Sequence, residues 1–171
     1  MKFKIKESKL QGKGIFATSN IKKREKVCNF NGKEVSMKEL RDIIVEGKER
    51  KGDSLQIGFR KYINLFETYR CFNHSCTPDA GIKGKNSLFA LINIKKGTEI
   101  TFDYSTTMWE ETEIIQKKFG KEFKAWTMKC FCKSKYCRKK IDQFYNLPKK
   151  IQEKYLKLGF VSGYILKWKR I

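Results

Sequence analysis

Residues Met1 to Glu7 alternate apolar and charged side chains, the pattern of a strand with one buried face. Gly12-Lys13-Gly14 interrupts it as a turn, and Ile15-Phe16-Ala17 resumes as a strand. Lys26 to Phe30 predicts another, closed by Asn31-Gly32, a dipeptide that favours a two-residue hairpin. From Ser36 to Glu46 the period changes to that of a helix. Met37, Leu40, Ile43 and Ile44 share a face, Ser36 can cap it with Glu39 three residues on, and Gly47 ends it. Short strands follow at Ser54 to Phe59, Tyr62 to Phe66, Leu88 to Ile92 and Glu99 to Phe102, with Lys96-Gly97 turning between the last two. Thr107 to Trp126 is polar and reads as a helix broken near Gly120. Pro148 introduces a basic amphipathic helix to Leu158, and Phe160 to Trp168 is apolar enough to pack as an extended tail. Many short strands with turns between them predict a mostly β domain with a few helices.

A chain of 171 residues favours one domain with at most a small appendage. Thirteen Phe and seven Tyr supply bulky groups for its core. No uncharged apolar run is long enough for a transmembrane helix, and the alternating start lacks the apolar heart of a signal peptide. The expected compartment is therefore the cytosol or nucleus. Thirty-nine Lys and Arg against eighteen Asp and Glu leave a net charge of +21. That balance suits an acidic partner such as nucleic acid or a nucleosome surface. It equally suits a Lys-rich composition, since Ile, Phe and Asn are abundant too. Basic residues are concentrated from Lys129 to Arg170.

Six cysteines in an intracellular-looking chain argue against a disulfide framework. Cys28 and Cys71 sit in apolar, strand-like contexts and read as small buried hydrophobes. Cys130, Cys132 and Cys137 place three thiols within eight residues. A closed tetrahedral zinc site needs four ligands. Cys76 is the best candidate for the fourth, His74 being the only histidine. Lys129, Lys133, Lys135 and Arg138 would favour the thiolates. The plain alternative is three unrelated buried cysteines. If Cys76 completes the set, the C-terminal segment folds back onto Asn73-His74-Ser75-Cys76. An Asn-His pair offers directional donors and acceptors from adjacent residues. Phe102-Asp103-Tyr104 ends an apolar strand with a phenol, and the two stretches together are the candidate active site.

These residues resemble those of SET-domain protein lysine methyltransferases with a post-SET zinc motif. Gly12-Lys13-Gly14-Ile15-Phe16 resembles the family's N-terminal glycine motif, and Phe30-Asn31-Gly32-Lys33-Glu34 its aromatic-x-Gly turn. Arg70 to Asp79 is close to the central motif, and Gly97 to Tyr104 to the second. The cysteine trio matches post-SET spacing, in which the cysteine of the central motif completes the zinc site. Arg24 stands where a glycine is common in the family.

The resemblance implies a SET-type fold of small curved sheets with a knot-like core and a C-terminal zinc-bound post-SET segment. It implies methyl transfer from S-adenosylmethionine to a lysine amine, with a histone tail as the substrate. Tyr104 would act at the transfer pore, with Phe102 and Phe30 lining the lysine channel. Gly14, Phe16, Arg70, Asn73, His74, Tyr104 and Phe131 would hold the cofactor, and Cys76, Cys130, Cys132 and Cys137 one structural zinc. The expected division is 1–108 for the SET domain, 109–128 for a connecting helical segment, 129–140 for the zinc motif and 141–171 for a basic helix and tail. Phe102 in place of a tyrosine implies di- or trimethyl-lysine as product. Chromatin and the nucleus are the expected location in a eukaryotic host, otherwise the cytoplasm or delivery to a host nucleus. The competing reading is a zinc-bearing chromatin or nucleic-acid binding module without catalysis.

Overall fold

The alternation at the start of the chain yields an antiparallel pair, β1 (Phe3–Glu7) with β2 (Lys13–Ala17). The computed structural model describes residues 2–48, 52–110, 116–117 and 125–168. Next come β3 (Lys26–Asn29), β4 (Gly32–Ser36), α1 (Met37–Val45), β5 (Ser54–Gly58), β6 (Lys61–Leu65) and α2 (Glu67–Arg70). β7 (Ala80–Lys83) and β8 (Ser87–Ala90) follow, and later β9 (Met128–Lys129), β10 (Lys140–Ile141), α3 (Lys149–Leu158) and α4 (Gly163–Trp168). The strands form small antiparallel sheets in the orders β3-β8-β7 and β4-β6-β5, with β1-β2 and β9-β10 as pairs. The fold is mostly β with a few helices, as the strand spacing predicts. No helix among the described residues is long and apolar enough to cross a membrane.

Asn31-Gly32 is not a hairpin. β3 bonds to β8 while β4 bonds to β6, so the dipeptide carries the chain from one sheet to another. Neither residue has the positive φ that a type I′ turn demands. Gly32 is glycine for another reason: a Cβ there would stand 1.9 Å from the Asn64 carbonyl oxygen across the ladder. Helix α1 forms as predicted. Ser36 accepts from the Glu39 amide at 3.3 Å, and Glu39 accepts from the Ser36 amide at 2.7 Å. A capping box of this kind contributes about 1 kcal/mol. Gly47 leaves the helix at φ 72°.

Other expectations need correcting. Glu99 to Phe102 is extended but makes only isolated bridges, to Phe16, Ala80 and His74. Tyr104–Thr107 is a 3-10 turn, and the chain from Met108 to Glu110 is non-helical. Most of the helix expected at 107–126 lies outside the described residues. The tail is not extended throughout: Gly163–Trp168 is helical, with Val161 and Ile165 packed on Phe144, Leu147 and Tyr155. Cys71 ends α2 and is not in a strand, and both Cys28 and Cys71 are only partly buried. Arg24, standing where the family often has glycine, takes φ 68°, a backbone state that costs an L-residue roughly 1 kcal/mol.

The main core runs from Phe3 through Phe30 and Phe72 to Phe102. Ring centroids are 5.3 Å apart for Phe3–Phe72, 5.2 Å for Phe72–Phe30 and 5.4 Å for Phe30–Phe102. Each fully buried Phe contributes roughly 1.5–3 kcal/mol. The series continues to Tyr104, 4.8 Å from Phe102, so the aromatic core ends at the candidate site.

Candidate functional site

Two sequence-distant stretches lie side by side. Phe102 donates its amide to the Asn73 carbonyl at 3.2 Å, and Ser75 donates to the Phe102 carbonyl at 3.2 Å. This parallel contact places Asn73, His74 and Cys76 next to Asp103 and Tyr104.

Cys76, Cys130, Cys132 and Cys137 come together with their sulfurs all within 4.8 Å of one another. The Cys76–Cys130 separation is 3.7 Å. Four sulfurs bound to zinc at about 2.3 Å stand about 3.8 Å apart along each edge of the tetrahedron. The arrangement therefore fits a zinc ion. Backbone amides point at two of the sulfurs, Arg138 N at Cys76 (3.4 Å) and Lys139 N at Cys137 (3.3 Å), as suits thiolates. Strands β9 and β10 close the loop, and Lys133 and Lys139 turn it at φ 56° and 62°. From this loop Lys133 Nζ donates to the Lys9 carbonyl at 2.6 Å.

Asn73 Nδ2 donates to Glu99 Oε1 at 2.8 Å and to the carbonyls of Lys13 (3.1 Å) and Gln11 (3.2 Å). Ser8 Oγ donates to both Glu99 oxygens at 2.8 and 2.9 Å. The loop before β2 is thus fastened to Glu99. This also accounts for Gly14, since a Cβ there would meet Glu99 Oε1 at 2.3 Å.

His74 is buried. Its Nδ1 accepts the Tyr104 amide at 3.2 Å, which leaves the ring proton on Nε2, 3.4 Å from Cys76 Sγ. Burial holds its pKa down to about 4, with Arg138 acting in the same direction and Asp103 against it. Tyr104 donates its hydroxyl to the Phe72 carbonyl at 2.6 Å. Burial raises its pKa above the usual phenol value, so it is a neutral phenol at physiological pH.

Two cavities meet at Tyr104. One, of about 500 Å³, is walled by aromatic rings: Tyr62, Tyr69, Phe72, Phe102, Tyr104 and Trp126. The other, of about 670 Å³, is more polar and is lined by Gln11, Lys13, Asn73, His74 and Phe131. Gly52, Asp53, Arg70 and Tyr104 line both. Arg70 faces them with its guanidinium held by the Leu65 carbonyl (2.6 Å) and Asn64 Oδ1 (2.7 Å), and Asp53 at 4.0 Å. Phe131 is 47% exposed at the polar cavity, with Lys129 Nζ 5.4 Å from its ring centroid.

Three residues expected at the site line neither cavity. Phe30 is fully buried behind Phe102 and is not among the residues lining either cavity. Gly14 and Phe16 lie on β2 and line neither, and Phe16 instead receives Lys6 Nζ at 5.8 Å from its ring centroid. The structure gives further residues specific places around the site. Glu99 fastens the first loop. Asp103 accepts from Arg138 at 2.7 Å and from the Tyr155 hydroxyl at 3.0 Å. Tyr62, Glu110 and Trp126 wall the aromatic cavity.

The sequence matches the model of the SET domain family over residues 12–105, and the chain belongs to that family. It is 28% identical over 146 residues to the Candida glabrata "Histone-lysine N-methyltransferase, H3 lysine-36 specific", covering 77% of this chain and 18% of that protein. It is 25% identical over 193 residues to the Saccharomyces cerevisiae protein of the same description, covering 93% of this chain and 24% of that one. The chain thus spans less than a quarter of the length of either relative. Among solved structures, the methyltransferase domain of human histone-lysine N-methyltransferase SETMAR aligns with a TM-score of 0.58 at 19% identity, over 82% of this chain and 58% of that one. A ctPRC2 structure bound to S-adenosylmethionine aligns with a TM-score of 0.54 at 20% identity, over 68% and 16%. At such identities the structural likeness establishes the fold.

Proposed function

We propose that this chain transfers a methyl group from S-adenosylmethionine to the side-chain amine of a protein lysine, on a histone tail. The observation that carries the reading is Tyr104 at the meeting of an aromatic and a polar cavity. Methyl transfer needs such a pair of chambers, so that two reactants approach in line from opposite sides. In this reading the polar cavity takes the cofactor, whose sulfonium supplies the methyl group. Asn73 and His74 border it, Arg70 and Lys13 suit a carboxylate, and Phe131 offers a face for a planar base. The relatives' descriptions as histone-lysine methyltransferases support the substrate class.

The aromatic cavity takes the acceptor lysine. Its reference pKa is about 10.4, and apolar walls favour the neutral amine by desolvation. Tyr104 has its own proton engaged by the Phe72 carbonyl, so its oxygen presents lone pairs. Those accept an amine N–H and turn the nitrogen lone pair away from the phenol. A new C–N bond forms as the C–S bond breaks, its electron pair goes to sulfur, and the amine's surplus proton leaves to water. Phe102 places ring edge, not hydroxyl, beside Tyr104, which leaves room for di- or trimethyl-lysine.

The four cysteines hold one structural zinc. In this reading 1–108 is the catalytic domain and 129–140 the zinc segment. The 109–128 segment connects them, and 141–171 supplies a basic helix and tail. On α3, Lys149, Lys150, Lys154 and Lys157 are exposed against one acid, Glu153, a face suited to nucleosomal DNA. Such a substrate places the protein at chromatin, in the nucleus of its own cell or of a host. The test is transfer of labelled methyl from S-adenosylmethionine to core histones and nucleosomes, with the modified residue mapped by mass. Label on a lysine, with a rise in melting temperature on adding the cofactor, supports the reading. No label on any histone or nucleosome and no thermal shift would overturn it in favour of a binding module.

A further inference from the structure

A protein of net charge +21 should repel a basic peptide, so whatever draws the substrate in must be local. Among the described residues the charged groups lining the aromatic cavity are Arg41, Arg70, Asp53 and Glu110. Asp53 stands 4.0 Å from Arg70 and is offset by it. Glu110 differs: among the described residues no ion pair includes it. Among the described residues its two oxygens are met only by neutral donors, the Tyr62 hydroxyl at 3.2 Å and the Trp126 amide at 3.2 Å. A carboxylate offers about four acceptor positions, so half remain.

The residue is also fixed in place. Its amide donates to Gln143 Oε1 at 2.9 Å and its carbonyl accepts the Tyr145 hydroxyl at 2.9 Å. The preceding residue, Trp109, is clamped in the same way by Gln56, at 3.0 and 2.9 Å. A half-satisfied carboxylate held rigidly in a partly buried aromatic cavity carries a desolvation cost that a cation would offset. Burial raises its pKa, which is the same cost seen as proton affinity.

We propose that Glu110 binds a second cationic side chain of the substrate, a lysine or arginine flanking the one that is methylated. The acceptor lysine itself is the wrong ligand for it, because a carboxylate at the amine would hold it as ammonium and remove its lone pair. A flanking cation has no such constraint. Its aliphatic stem fits against Tyr62 and Trp126, whose rings also favour a cation over their faces. The proposal rests on the methyltransferase reading for the placement of the peptide, and it makes Glu110 a specificity residue that takes no part in the chemistry.

The test uses the zinc-loaded chain and two peptides that share a central lysine. One has flanking lysines or arginines, and in the other these are replaced by norleucine. Binding is read by fluorescence anisotropy and turnover by methyl transfer. The wild type should bind the basic-flank peptide on the order of tenfold more tightly, the scale of one charge-assisted hydrogen bond in a partly buried site. Glu110→Gln keeps the shape and can still serve Tyr62 and Trp126. It should raise KM for the basic-flank peptide about tenfold at unchanged kcat and abolish the preference. Discrimination equal in wild type and variant would overturn the proposal. Should the variant not fold, equal binding of both peptides by the wild type would overturn it just as well. Glu110-dependent binding without methyl transfer would instead sink the enzymatic reading and leave the cation site standing.

Discussion

Arg138 donates to Asp103 at 2.7 Å across 35 residues of sequence, joining the cysteine loop to the segment that carries Tyr104. The Asp103 side chain is fully buried, and it also accepts from the Ser105 amide at 3.1 Å and from the Tyr155 hydroxyl of α3 at 3.0 Å. One carboxylate therefore ties the cysteine loop, helix α3 and the candidate catalytic turn. Removing one partner of a buried pair leaves the other charge uncompensated. Arg138→Met should cost about 3 kcal/mol of unfolding free energy. Tyr155→Phe, which deletes one hydrogen bond to a charged group, should cost about 1.5 kcal/mol. Urea unfolding of both variants measures this, and a loss below about 0.5 kcal/mol for Arg138→Met would show the pair to be unimportant.

Purified protein should contain about one zinc per chain, the stoichiometry of a closed four-ligand site. Cys137→Ser should lower zinc content, melting temperature and cofactor affinity together, because Phe131 and Cys132 line the polar cavity. Elemental analysis and calorimetry decide the matter. Full cofactor binding by metal-free protein is the outcome that contradicts it.

Tyr104→Phe keeps the ring against Phe102 and removes the oxygen. Turnover should fall on the order of a hundredfold, the scale of losing one orienting contact, while cofactor affinity holds within about twofold. Unchanged turnover would assign the chemistry to another group.

Phe102→Tyr adds a hydroxyl beside Tyr104, 4.8 Å away between ring centroids. That hydroxyl, or a water held on it, should hinder the rotation that aims a methylated nitrogen at a second methyl. Mass spectra of one acceptor peptide over time should show di- or trimethyl product from the wild type and a shift to monomethyl from the variant. A wild type that stops at monomethyl with cofactor in excess refutes the assignment.

Glu110 gives a pH-dependent signal in the free protein. Burial raises its folded pKa above the unfolded value, so between the two the folded state holds more protons. Stability linked to this group is then greatest at low pH and is lost as pH rises through the folded pKa. Glu110→Gln removes that loss. The variant should melt above the wild type near pH 7.5, and the gap should narrow toward pH 4. A gap that widens on acidification would reverse the sign argued here.

What the sequence made legible was local or cysteine-borne. The Ser36–Glu39 box spans four residues, and the thiol spacing speaks for itself. The Asp103–Arg138–Tyr155 tie was hidden because its members lie 35 and 52 residues apart, each reading as ordinary on its own. Strand β7 was masked by Pro78 and Gly81, which look like a turn. Gly81 is there because Phe160 Cβ would come within 3.0 Å of any added Cβ. Asn31-Gly32 misled for a like reason: close approach, not a positive φ, selects the glycine. Phe30 matched a motif, yet a motif does not say which face of the core a ring joins.

The hydrogen bond from Lys133 to the Lys9 carbonyl closes a loop of 124 residues. Leu10 to Lys13 form one wall of the polar cavity, and Met128, Lys129, Phe131 and Cys132 another. Neither wall alone makes a chamber. During synthesis the first wall leaves the ribosome long before the second, and the thiols of Cys130, Cys132 and Cys137 come later still than Cys76. Closing so long a loop is entropically unfavourable until the contacts at its end are made. The nascent chain therefore has no complete chamber until its cysteine loop has emerged.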